Sequence, residues 1–123
     1  MRAKPVTRVA LVVEDEWIVR DQIVSELKTH GWVVVEATTG EDALALLDLC
    51  EVDVLLTDIQ LAGAMNGWEV AHAVRAAIPQ LPVIYASGNT PDPLQRVDGS
   101  LYFHKPYDPA DIVAACHNLI AAE

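Results

Sequence analysis

The chain has 123 residues, 52% of them hydrophobic, and its 18 acidic side chains against eight Lys and Arg give a net charge of −10. One domain is expected at this length, and the acidic balance lacks the basic footprint of a protein that binds nucleic acid directly. No apolar run exceeds five residues, far short of the roughly 18 that cross a bilayer, so no membrane association is expected and the cytoplasm is the expected location.

Residues 1–7, with Arg2, Lys4 and Pro5, read as a flexible lead into a single domain over 1–123. The first strand is expected at Val9 to Val13, an apolar run suited to burial on both faces. Glu14, Asp15 and Glu16 come directly after it. Val19, Ile23 and Leu27 then repeat with a helical period, and Gly31 fits the left-handed end of that helix. A second strand is expected at Trp32 to Val35, also as a run buried on both faces. Thr39 with Asp42 resembles a capping box for the next helix.

The third strand, Val52 to Leu56, leads to Asp58. Asn66 can cap a helix entered through Gly67, whose apolar face is Val70, Val74 and Ile78. Val83 to Tyr85 is the fourth strand and leads to Ser87. After it, Pro91, Pro93 and Gly99 leave room for at most about two turns of helix. Leu101 to Phe103 is a weaker fifth strand before Lys105. Asp108 then caps a last helix with Pro109 at its first position and Ile112, Cys116, Leu119 and Ile120 on one face.

Strands alternating with helices predict parallel pairing and a three-layer doubly wound α/β sandwich. In such sheets ligands bind beyond the carboxyl ends of the strands, where Glu14, Asp15, Asp58, Ser87 and Lys105 would meet. Three carboxylates 4 Å apart repel by roughly 1 kcal/mol per pair in water and about 4 at an effective dielectric of 20. A hard divalent cation suits an all-oxygen cluster, and Mg²⁺ is the natural choice. With a lysine and a hydroxyl beside it, the set is complementary to a phosphoryl group.

Cys50 and Cys116 sit far apart in apolar helical contexts and read as buried thiols. His30, His72, His104 and His117 lack the spacing of a metal motif, and His104 reads as structural. Trp17, Trp32 and Trp68 read as packing or rim residues.

The segments Leu11-Val12-Val13-Glu14-Asp15-Glu16, Leu55-Leu56-Thr57-Asp58, Ala86-Ser87-Gly88 and His104-Lys105-Pro106-Tyr107, in this order and spacing, resemble the receiver domains of two-component response regulators, the chemotaxis-regulator-like family. The resemblance spans nearly the whole chain. It implies a flavodoxin-like (βα)5 fold with strand order 2-1-3-4-5, and a phosphoacceptor, Asp58, that takes its group from a sensor histidine kinase or histidine phosphotransfer protein. It further implies Mg²⁺, with Mn²⁺ able to substitute, held by Asp15 and Asp58, by Glu14 through water and by the backbone carbonyl of Gln60. Lys105 would pair with the phosphoryl group and Ser87 would hydrogen-bond it. Tyr102 would be the switch aromatic, turning inward as the Ser87 loop shifts. Such a domain catalyses its own phosphorylation and dephosphorylation but serves mainly as a switch acting on a downstream protein, as a monomer or weak homodimer. No output domain is expected in these residues.

The chain departs from the family in three places. Ala62 stands where proline is common, and the loop Gln60 to Asn66 is one residue longer, which is expected to loosen the entry to the third helix. Ser87 and Lys105 are only 18 positions apart, about one helical turn short, so the fourth helix is expected to be short, displaced or partly unwound. Gln60 and Asn89 occupy positions that modulate phosphoryl lifetime in the family. Two alternatives stand beside this reading. Haloacid-dehalogenase-like phosphatases also use a strand-end aspartate, Mg²⁺, a hydroxyl and a lysine, but carry a second acid where this chain has Gln60. The other alternative is a binding module that works without phosphorylation.

Overall fold

The computed structural model describes residues 7–88 and 90–121. Apart from Thr7, the expected flexible lead lies outside the described residues, as does Asn89. Five strands, β1 (Val9–Val13), β2 (Val33–Ala37), β3 (Val54–Thr57), β4 (Val83–Ser87) and β5 (Leu101–His104), form one sheet in the order β2-β1-β3-β4-β5. All four pairings are parallel. The helices are α1 (Trp17–Thr29), α2 (Gly40–Leu47), α3 (Gly67–Ala77) and α4 (Pro109–Ala121).

The period of two along each strand sorts its side chains between two cores. Leu11, Val13, Leu55, Val83 and Tyr85 face one side, where α2 and α3 cover them with Ala43, Trp68, Val70, Ala71 and Val74. Ala10, Val12, Val54, Leu56, Ile84 and Ala86 face the other, under Ile23, Val24 and Leu27 of α1 and Ile112, Val113, Cys116 and Ile120 of α4. The central strands β1, β3 and β4 are therefore almost entirely buried. β2 is an edge strand with no described strand beyond it. Val33 is 48% exposed there, so the expected burial on both faces fails for this strand. Trp32 stays out of the strand because its N–H closes α1 onto Leu27 O at 3.0 Å, beside Gly31 at φ +87°. Cys116 is buried, and burial pushes its thiol up to about 12.

Two helix starts are capped as their sequences imply. Thr39 accepts the Asp42 N–H at 3.1 Å, and Asn66 and Glu69 form a complete capping box, at 2.9 and 3.0 Å. Asp108 likewise accepts from Ala110 N–H at 2.9 Å at the start of α4. The longer loop before α3 is braced rather than loosened: Glu41 accepts from Ala64 N–H at 3.2 Å, and Ala62 forms a parallel bridge with Thr39.

The connection between β4 and β5 is irregular, as expected, and goes further than a shortened helix. It holds no α-helix among its described residues, only turns at residues 93–95 and 98–99. Asp92 organises it, accepting from Leu94 N–H at 2.9 Å and from the Gln95 amide at 2.7 Å. Val97 plugs into the core, and its N–H donates to the Tyr85 hydroxyl at 3.2 Å. Where a helix would have covered β4 and β5, three aromatic rings pack together. Trp68 lies 4.7 Å from Tyr85 and 6.4 Å from Tyr102, centroid to centroid. Among the described residues, no helix is long and apolar enough to cross a membrane.

Candidate functional site

β1, β3, β4 and β5 run in the same direction, so the residues after them gather at one edge. Glu14 leaves β1 with its N–H on Ala37 O of β2 at 3.0 Å, and Asp58 leaves β3 with its N–H on Val13 O at 3.0 Å. The sheet ladder thus fixes both acids before any side-chain contact is made. Carboxylate oxygens of Glu14, Asp15 and Asp58 lie within 4.8 Å of one another. Glu14 and Asp58 are buried, whereas Asp15 opens to solvent.

Lys105 Nζ bridges the two buried acids, donating to Glu14 Oε1 at 2.6 Å and to Asp58 Oδ2 at 2.8 Å. The other Asp58 oxygen accepts from Ile59 N–H at 2.6 Å, so both oxygens of this carboxylate are held. Burial raises Glu14 to about 7, and the charge of Asp58 adds to the rise against the pull of Lys105. For Lys105, burial acts to lower the pKa, but its bonds to Asp58 and Glu14 outweigh it and the net direction is up. One ammonium among three carboxylates leaves two negative charges, the charge of one divalent cation. The oxygen-only donor set and the exposure of Asp15 therefore fit Mg²⁺.

Gly67 sets the floor of the site. Its N–H donates to Ile59 O at 2.7 Å, and a Cβ there would stand 1.9 Å from Asp58 O. Only glycine lets α3 begin against the backbone of Asp58.

Ser87 ends β4 and is buried. Its backbone carbonyl accepts from Lys105 N–H at 2.9 Å, which seats the lysine opposite the acids. Tyr102, in β5, is half-buried; burial raises its hydroxyl pKa, opposed by a hydrogen bond with Ser87. Its ring lies 6.4 Å from Trp68 and 6.3 Å from Tyr85, centroid to centroid. Gln60 is exposed in the loop after Ile59.

Trp68, expected as a packing or rim residue, and Tyr85, expected only as the end of the fourth strand, both pack their rings against Tyr102. Arg20 stands out only in three dimensions: its guanidinium donates to the Glu14 backbone carbonyl at 2.8 Å and to Glu36 Oε1 at 3.1 Å. The signal for it in the sequence is a cation one turn from a helix N-terminus, where the dipole disfavours it.

The fold and this edge define a flavodoxin-like α/β domain with an acidic cation site and a lysine set into it. The response regulator receiver domain family matches residues 10–117, and the chain belongs to it, a family of two-component signalling. The chain is 27% identical over 113 residues to the uncharacterized transcriptional regulatory protein YbdJ of Bacillus subtilis, covering 89% of this chain and 49% of that protein. It is 35% identical over 81 residues to the probable transcriptional regulatory protein TcrX of Mycobacterium tuberculosis, covering 66% and 33%. The chain spans about half the length of the first curated relatives it matches. Among solved structures, a response regulator receiver protein of Sinorhizobium medicae superposes with a TM-score of 0.87 at 28% identity, over 94% of this chain and 96% of that one. The receiver domain of the hybrid histidine kinase CckA gives 0.78 at 26%, over 91% and 98%. Family membership decides against the phosphatase alternative. Receiver domains bind Mg²⁺ at an acidic site and interact with histidine kinases or phosphotransfer proteins.

Proposed function

We propose that Asp58 is the phosphoacceptor, taking a phosphoryl group from a phosphohistidine of a sensor histidine kinase or histidine phosphotransfer protein, and that the modified site changes affinity for a downstream protein. The observation that carries this reading is the buried Asp58 carboxylate, clamped by Ile59 N–H and Lys105 within a cluster of two further acids.

In the transfer, an Asp58 oxygen forms a P–O bond as the P–N bond to the donor imidazole breaks, and the imidazole takes up a proton. Lys105 stabilises charge on the phosphoryl oxygens, and the Ser87 hydroxyl hydrogen-bonds one of them. Asp15 and Asp58 would hold Mg²⁺ directly, Glu14 through water, and Gln60 through its backbone carbonyl. The ion supplies charge neutralisation and orients the oxygens, and Mn²⁺ serves by the same oxygen-ligand chemistry. Attack of water on the acyl phosphate returns Asp58 to its starting state.

The Ser87 hydroxyl links site to readout, because Tyr102 and the phosphoryl group compete for it. Drawn to the phosphoryl group, it releases Tyr102 from that bond and shifts the aromatic cluster over the β4–β5 connection. The partner face is this connection with β5 and α4. The net charge of −10 favours a protein partner over nucleic acid or membrane, met in the cytoplasm by a monomer or weak homodimer.

Incubation with acetyl phosphate and Mg²⁺ followed by intact-mass measurement tests the assignment. A single phosphate adduct is expected on the wild-type chain and none on Asp58→Asn. An unmodified wild type, or an adduct that survives the substitution, overturns it.

A further inference from the structure

α1 starts differently from the other helices. Its N-cap, Glu16, makes no side-chain capping bond, whereas Thr39, Asn66 and Asp108 cap α2, α3 and α4. Yet this uncapped turn, Glu14 to Glu16, carries two of the three clustered acids.

Arg20 reaches back from within α1 to tie that turn down. Its Nη1 donates to Glu14 O at 2.8 Å, the carbonyl of the peptide that joins Glu14 to Asp15. Its Nε donates to Glu36 Oε1 at 3.1 Å, and Glu36 sits on β2 in register with Val12. The Arg20 side chain is only 19% exposed. A planar guanidinium makes both bonds at once in fixed geometry, which an ammonium cannot reproduce. The Glu14 N–H is already fixed on Ala37 O at 3.0 Å, so Arg20 fixes the other side of the same residue, and with it the direction in which Asp15 leaves the strand.

We infer that Arg20 is a positioning residue for the metal site, orienting the Glu14–Asp15 peptide so that Asp15 faces the ion, and that Glu36 anchors the guanidinium in that place. The inference rests on the proposed Mg²⁺ site. It also predicts a sign that simple electrostatics does not. Removing a positive charge from beside an acidic cluster would by itself tighten cation binding. Losing the orientation of a ligand weakens it, typically by about tenfold or more when the supporting contact is removed.

The test is calorimetric titration of the metal-free chain with Mg²⁺, far below the melting temperature of each variant, with circular dichroism to confirm folding. Arg20→Met, which keeps the aliphatic stem, is expected to weaken Mg²⁺ about tenfold. Arg20→Lys, which keeps the charge without the fork, is expected to remain weakened. Glu36→Gln is expected to weaken binding less, and to add nothing in the double variant with Arg20→Met. Unchanged or tighter binding by Arg20→Met, or full recovery in Arg20→Lys, overturns the positioning role. Additive effects of the two substitutions overturn the anchoring role of Glu36. Absence of Mg²⁺ binding by the wild-type chain would sink the metal-site reading and the Arg20 role with it, whereas wild-type binding with an unaffected Arg20→Met overturns the Arg20 role alone.

Discussion

The connections on either side of β5 contain the same signal and end as different structures. Asp92-Pro93 and Asp108-Pro109 are both an N-cap residue succeeded by proline at the first helical position, and each aspartate accepts from the N–H two residues on, at 2.9 Å. The first yields a single turn and the second a 13-residue helix. The apolar residues beyond each cap decide the outcome. Ile112, Val113, Cys116 and Ile120 recur at helical spacing and are all buried, while Leu94 is 94% exposed and Val97 is the buried apolar residue of its segment. A cap can begin a helix, but burial of an apolar face is what sustains it.

The largest expected effect sharpens that contrast. Ile112→Ala should cost about 3 kcal/mol or more of stability, through lost burial and the cavity left behind. Leu94→Ala should stay within about 0.5 kcal/mol. Urea denaturation of both variants checks this, and equal losses would mean that the two segments are packed alike.

The next effect tests what holds the helix-free connection in place. Tyr85→Phe removes the acceptor of the buried Val97 N–H and should cost about 2 kcal/mol. Faster amide exchange should be confined to the connection, with Mg²⁺ affinity unchanged. A loss of Mg²⁺ binding in this variant would show that the aromatic cluster supports the acid edge as well as the loop.

The smallest effect belongs to the acid edge. Glu14 is raised from 4.5 to about 7 by burial, so between those pH values the folded chain binds a proton that the unfolded chain does not. Stability of the metal-free protein should therefore fall as pH rises through this window, by about 1 kcal/mol or more. Melting temperatures measured from pH 4.5 to 7.5 check the slope, and Mg²⁺ should flatten it by stabilising the ionised acids. A slope of opposite sign would mean that Lys105 dominates Glu14.

Much of the acid edge was legible in the chain because strand-end positions follow from local periodicity. Once β1, β3, β4 and β5 are read as parallel, Glu14, Asp58, Ser87 and Lys105 must share an edge. The missing helix was only half legible: Pro91, Pro93 and the short interval indicated irregularity, but the bond from Val97 N–H to the Tyr85 hydroxyl and the packing of Tyr85 on Trp68 join segments distant in sequence. Arg20 was hidden because its partners, Glu14 O and Glu36, belong to two different strands and their exits, and no spacing along α1 announces them.

By itself, then, the order of residue types determined the sheet, its direction and the chemistry gathered at its end, since apolar period and strand-end placement are local properties. Tertiary structure alone decided that Lys105 lies between Glu14 and Asp58, that Arg20 ties down the uncapped turn, and that Tyr102 already rests against Trp68. Those outcomes arise from competition among groups distant in sequence for a few partners in space, and only packing settles which one prevails.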